Sequence, residues 1–290
     1  MARRAAAFIA LTKPRIIELL LITTVPTMIV AEAGMPAPRL VLATVVGGAL
    51  AAGGANTFNM YADRDIDQLM ERTKGRPLVT GEVQPGEALL FGLVLEASAF
   101  ALLWLEVNLL SAVLAVSATL FYVFVYTLWL KRTSSQNIVI GGAAGAVPVL
   151  VGWAAVQDSL ALTPWLLFGV IFFWTPPHFW ALAIKYRADY EAAKVPMLPV
   201  VSSLQHTARQ MAGYTLVVGV LAVAVWPVAG LGWIYGLVAV AASIVFAVDA
   251  FGLAGDPEPR RAMRVFGFSI TYLTAIFVAM ALDVLVLQGL

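Results

Sequence analysis

Long apolar runs alternate with short polar connections along the chain, at a spacing that suits helices crossing a bilayer. About 20 helical residues span the roughly 30 Å hydrocarbon layer. Runs of that length stand near 16–34, 40–62, 86–105, 108–129, 137–156, 164–185, 208–228, 232–252 and 265–287. None has the strict alternation of a barrel strand, and lipid-facing backbone must satisfy its hydrogen bonds internally, so each run is predicted to be a helix. The expected architecture is an all-α integral membrane bundle of nine transmembrane helices, forming one membrane domain over 1–290.

Nine crossings put the termini on opposite sides. Of the 18 Lys and Arg residues, Arg39 alone then falls on the side away from the N-terminus. Such a bias marks the cytoplasmic side, and one missed span would scramble it. The N-terminus is therefore expected in the cytoplasm and the C-terminus opposite. The two longest connections, 63–85 and 186–207, both lie on the basic side. The first residues, MARRAAAFIALTKPR, read as an uncleaved amphipathic stub on the membrane face and not as a signal or transit peptide, which points to a bacterial cytoplasmic membrane. Glycines at 47, 48, 53 and 54, and again at 141, 142 and 145, are expected to let helices approach closely.

Composition agrees with the pattern: 61% of residues are hydrophobic and 12% charged, with a mean hydropathy of +0.89. A net charge of +1 excludes bulk electrostatic attraction to nucleic acid. The absence of cysteine excludes disulfides, thiolate metal sites and cysteine nucleophiles.

The candidate chemistry starts where the second run ends, in NMYADRDID. Asn59, Asp63 and Asp67 are spaced i, i+4, i+8, and at about 100° per residue the outer two diverge by only about 80°, so all three share a helix face. Asp65 points to the far side. Carboxylates at a helix C-terminus meet the negative end of the macrodipole and repel one another, so a cationic partner is required. The candidates are Arg64, Arg72 or a bound metal ion. An acidic cap held by those arginines satisfies the pattern. So does Mg²⁺, which takes one or two carboxylates and shares its remaining positions with water and substrate phosphate. Arg72, Lys74 and Arg76 follow at once, and cations beside such a metal suit a diphosphate leaving group. The second long connection, AIKYRADYEAAKVPMLP, adds Lys185, Tyr186, Arg187, Asp189 and Lys194. Lys131 and Arg132 end the fourth run, with Tyr126 shortly before them.

Four stretches, LTKPR, NMYADRDIDQLMERTKGRPL, YTLWLKRTSSQNIVIGGAAGAVPVLVGWA and TPPHFWALAIKYRADYEAAKVPMLPVV, closely resemble the protohaem IX farnesyltransferase (haem O synthase) branch of the UbiA-type prenyltransferase superfamily. The acidic motif is shared across the superfamily, whereas TPPHFWALA and VPMLPVV resemble the haem branch. Lys194 stands where that branch usually has glycine. Ala193 stands where the superfamily's second acidic motif, often D-x₃-D, would place another acid after Asp189. The resemblance implies a nine-helix bundle around a central cavity, capped by the two cytoplasmic loops. It also implies transfer of the farnesyl group of farnesyl diphosphate to a vinyl group of haem b, with water, giving haem O and diphosphate. On this reading Asn59, Asp63, Asp67 and Asp189 bind Mg²⁺. Arg72, Lys74, Arg76, Lys131 and Lys185 contact the diphosphate, Tyr126, Arg132 and Tyr186 are further substrate-binding residues, and haem b is a substrate and not a cofactor. The resemblance also admits a downstream haem-processing protein as a partner that receives the product.

Of the two histidines, His178 follows Pro176 and Pro177, which are expected to kink the sixth helix. It is either a hydrogen-bonded core residue or, as the resemblance implies, the haem-iron ligand. His206 reads as a surface residue. Glu96, near the middle of the third run, is expected to be protonated or paired inside the bundle. Two other readings stay open: a related prenyltransferase acting on an aromatic quinone precursor, and a multi-helix secondary transporter. The transporter reading is less consistent with charge gathered at one membrane face.

Overall fold

The computed structural model describes residues 2–287, and of residues 2 and 15–21 the backbone alone. The described residues form helices and no strand. We number the long helices α1 (Pro14–Glu32), α2 (Pro38–Asp67), α3 (Pro85–Glu106), α4 (Leu109–Thr133), α5 (Asn137–Gln157), α6 (Leu162–Lys185), α7 (Leu204–Val228), α8 (Trp233–Gly255) and α9 (Pro259–Leu287). Among the described residues, eight of these, α2 to α9, are long and apolar enough to cross a membrane. The described apolar part of α1 is Ile22–Glu32. The side chain of Arg15 and the start of the expected first span fall outside the described side chains.

Local sequence sets where the helices begin. α1, α2, α3 and α9 start at proline, whose missing N–H is no loss in a first turn and whose φ is already helical. Gln84 and Glu87 form a reciprocal capping box on α3. Asn108 Oδ1 accepts from the Ser111 N–H at 2.8 Å on α4, and Ser203 Oγ accepts from the His206 N–H at 3.1 Å on α7.

Polar contacts tie alternate helix ends together, as an up-and-down path requires. At one face Arg39 Nη2 donates to Glu106 at 2.5 Å, the Asn108 side chain to Ala154 O at 2.7 Å and the Gln157 side chain to Ala31 O at 2.6 Å. At the other face lie both long loops. α6 is the most enclosed span, whereas α3, α4 and α8 turn more of their surface outward. Leu90, Leu93, Leu105, Leu237, Ile244 and Val248 are exposed on those outer helices, where the hydrocarbon layer would be their solvent. α6 runs through Pro176 and Pro177 as one helix. Close approach of α2 and α3 depends on Gly54, where an added Cβ would sit 2.6 Å from Glu96 Oε1. Glu96 accepts from Thr119 Oγ1 at 2.9 Å, and its Oε2 is buried without a hydrogen-bond partner.

α2 continues to Asp67, beyond position 62 where hydrophobicity ends, so the acidic motif is helical throughout. The loop after it carries the short helix Pro77–Thr80, and the loop after α6 carries Arg187–Ala192 and Leu198–Val201. Both loops are anchored by apolar side chains: Met70 from the first and Tyr190, Val195, Met197 and Leu198 from the second belong to one buried cluster.

Candidate active site

The i, i+4, i+8 spacing has its expected effect: Asn59, Asp63 and Asp67 are all buried, while Asp65 is exposed. The cations that answer them come from elsewhere in the chain. Lys131 Nζ donates to Asp63 Oδ2, and Arg76 Nη1 donates to Asp67 Oδ2 at 2.6 Å. Arg132 holds Asp65 with two 2.7 Å bonds and lies 4.0 Å from Asp63 Oδ1. Arg64, a sequence-level candidate for this role, instead donates to Tyr61 O at 2.5 Å and stacks on the Tyr61 ring.

Asn59 is saturated. Its Oδ1 accepts from Lys13 Nζ at 2.7 Å, and its Nδ2 donates to Asp63 Oδ2 at 2.8 Å and to Thr127 Oγ1 at 3.1 Å. Thr127 can accept because its own hydroxyl proton goes to Tyr122 O at 2.8 Å. That i to i−5 bond belongs to a π-helical stretch, Phe121–Leu130, within α4. The wider turn rotates the residues after it relative to an α-helix, and here it places Thr127 and Lys131 against α2. Within it Tyr122 and Tyr126 stack at 5.4 Å. Gly141 leaves room for Tyr126, whose ring an added Cβ would meet at 2.2 Å.

Lys13 and Thr127 are the site residues that sequence reading left without a role. Lys13 adopts φ 51°, the left-handed region, between the N-terminal helix Ala2–Leu11 and Pro14. Such a conformation costs a non-glycine residue about 1–2 kcal/mol and persists only where surroundings enforce it. Burial, then the neighbouring charges of Arg76 and Lys131, push the Lys13 ammonium down to about 7. The sole signal in the sequence is a lysine pinned beside the first proline of a span.

The two loops meet at Arg72, whose backbone N–H donates to Asp189 Oδ2 at 3.3 Å. The Arg72 guanidinium lies 5.7 Å and the Lys185 ammonium 5.3 Å from the Tyr186 ring centre. Burial pushes the Tyr190 phenol up, with the charge and hydrogen bond of Arg72 opposing it. Lys74 turns outward and pairs with Glu71 at 2.5 Å. His178 is buried between Trp174 and Phe266, with ring centres at 4.3 and 4.6 Å. His206 is exposed at the start of α7.

Among the described residues no three Asp, Glu or His side chains converge into a ready-made metal cage. Asp63 Oδ1, however, is buried without a hydrogen-bond partner. An orphan carboxylate oxygen beside the oxygens of Asn59 and Asp67 fits Mg²⁺, which needs few protein ligands when phosphate supplies the rest.

The UbiA prenyltransferase family matches residues 20–280. A relative named Protoheme IX farnesyltransferase, from Frankia casuarinae, is 54% identical over 292 residues, covering 99% of this chain and 100% of its own. The structure of digeranylgeranylglyceryl phosphate synthase superposes with a TM-score of 0.81 at 16% identity, covering 97% of this chain and 99% of that one. A UbiA homologue from Archaeoglobus fulgidus bound to GPP and Mg²⁺ gives 0.67 at 15% identity, covering 94% and 99%.

Proposed function

The chain belongs to the UbiA prenyltransferase family, and on that premise we propose that it transfers the farnesyl group of farnesyl diphosphate to a vinyl group of haem b, giving haem O and diphosphate in a Mg²⁺-dependent reaction. It is a multi-pass membrane prenyltransferase. The observation that carries the choice of acceptor is the 54% identity, over 99% of the chain, to a Protoheme IX farnesyltransferase.

Asn59, Asp63 and Asp67, with Asp189 from the second loop, would hold Mg²⁺. Once bound, the ion supplies Lewis-acid stabilisation of the charge on the departing diphosphate. The chain's own part is to exchange partners. Lys131, Arg76 and Lys13 donate to Asp63, Asp67 and Asn59, and with substrate bound the same donors would serve the diphosphate oxygens, joined by Arg72 and Lys185 from the loops. These donors act on charge that grows as the allylic C–O bond breaks. The Tyr122–Tyr126 pair beside the site offers ring faces suited to a carbocation, and apolar helix walls exclude water until the new bond has formed. The vinyl carbon of haem then attacks the allylic carbon. Water adds to the cation left on the haem side chain and releases a proton, giving the hydroxyethylfarnesyl substituent.

The basic loops are proposed to face the cytoplasm of a bacterial cell. The deciding experiment incubates membranes containing the protein with haem b, farnesyl diphosphate and Mg²⁺ and weighs the haem product. A haem carrying farnesyl plus water is expected. Unchanged haem together with prenylation of an added quinone precursor would overturn the assignment.

A further inference from the structure

His178 lies on α6, but its hydrogen-bond partner comes from α9: Nδ1 is 2.7 Å from Ser269 Oγ. Distance alone does not say which atom donates, because a neutral imidazole carries its proton on either nitrogen and a hydroxyl can give or accept. A second bond settles the direction. Ser269 Oγ is also 2.6 Å from Phe266 O, and a carbonyl oxygen can only accept, so the single hydroxyl proton of Ser269 is committed there. Ser269 Oγ therefore accepts from His178 Nδ1–H, which leaves the imidazole lone pair on Nε2.

The neighbours hold this arrangement in place. The Trp174 indole stacks on the His178 ring at 4.3 Å and 18°, and Phe266 stacks on it at 4.6 Å and 27°. The Trp174 Nε1–H donates to Ser269 O at 2.8 Å, pinning the serine backbone to the helix that carries the histidine. Turning the ring over would replace Nδ1–H by a C–H against Ser269 and take the buried Nδ1–H away from its acceptor, which is costly.

We propose that Ser269 is a positioning residue that holds His178 as the Nδ1–H tautomer, so that Nε2 offers its lone pair to the iron of the haem acceptor. Metal-binding histidines commonly donate their second ring nitrogen to a fixed acceptor, and loss of that acceptor typically lowers metal affinity by about 10–100-fold. The proposal rests on the reading of haem b as acceptor and adds to it which atom faces the iron and what aims it.

The test uses the full-length protein in detergent. With only two histidines in the chain, ¹⁵N-histidine labelling gives two side-chain signal sets, and a His206→Gln variant assigns them. The expected result for His178 is a protonated, pyrrole-type Nδ1 and an unprotonated, pyridine-type Nε2 in the haem-free protein; the reverse pattern overturns the proposal without any haem being added. Titration with ferric haem b is then followed by its absorption spectrum. Ser269→Ala is expected to weaken binding about 10–100-fold and to mix the tautomers, and Ser269→Thr, which keeps the hydroxyl, to restore both. If His178→Ala abolishes the bound-haem spectrum while Ser269→Ala leaves spectrum and affinity unchanged, the role of Ser269 falls and the haem reading stands. If His178→Ala leaves the spectrum unchanged, the ligand reading falls and takes the proposal with it.

Discussion

Asp63 shows how the site is built one atom at a time. One carboxylate oxygen takes Lys131 and Asn59, and the other has no hydrogen bond although it is fully buried. Replacing Asp63 with alanine leaves the Lys131 ammonium, itself mostly enclosed, without its counter-charge, and breaking a buried pair from one side costs about 3–5 kcal/mol. Asp63→Ala is therefore expected to lower the thermal midpoint and to abolish farnesyl transfer. Asp63→Ala combined with Lys131→Met is expected to recover most of the lost stability and none of the activity, as thermal unfolding and product mass would read. Recovery of activity in the double variant would remove Asp63 from the proposed metal-binding set.

At the scale of elements, Lys194 in the second loop has φ 52°. Glycine enters that region freely, whereas a side chain there costs about 1–2 kcal/mol. After allowance for the greater freedom of glycine in the unfolded chain, Lys194→Gly is expected to gain about 0.5–1 kcal/mol, visible as a higher midpoint in a thermal melt. The resemblance to a branch with glycine at this position made it noticeable, and the backbone angle supplies the reason. Other parts of the site were legible to different degrees. The helix face shared by Asn59, Asp63 and Asp67 follows from a fixed period, and the apolar runs follow from the thickness of a bilayer. The partners do not. Arg76 and Arg64 are both arginines close to the motif, and only the path of the intervening loop selects Arg76 for Asp67. Lys13 and Thr127 reach Asn59 from segments far away in the chain. Thr127 depends further on a π-helical stretch that apolar spacing does not announce.

The whole molecule places its polar chemistry at one end of the bundle. Because the chain contains no cysteine, its orientation can be read directly with single introduced thiols. Glu258→Cys on the proposed cytoplasmic face should resist a membrane-impermeant maleimide in intact cells, and Met35→Cys, exposed at the opposite face, should react. The reverse pattern would invert the topology. The buried carboxylates of Asp63 and Asp67 have cationic partners within the chain, Lys131 and Arg76. EDTA is therefore expected to stop turnover while leaving the thermal midpoint in place, and a large fall in the midpoint would show that the fold itself depends on the ion. The same pairing has a consequence for ligand entry. On the proposed assignment, an arriving ion would have to displace lysine and arginine that then had nowhere to go, and an arriving polyanion would need those same groups while exposing the acids they had covered. Each ligand removes the obstacle facing the other, so their affinities rise together by the same factor, and the resting protein responds to their coincidence far more than to either one alone.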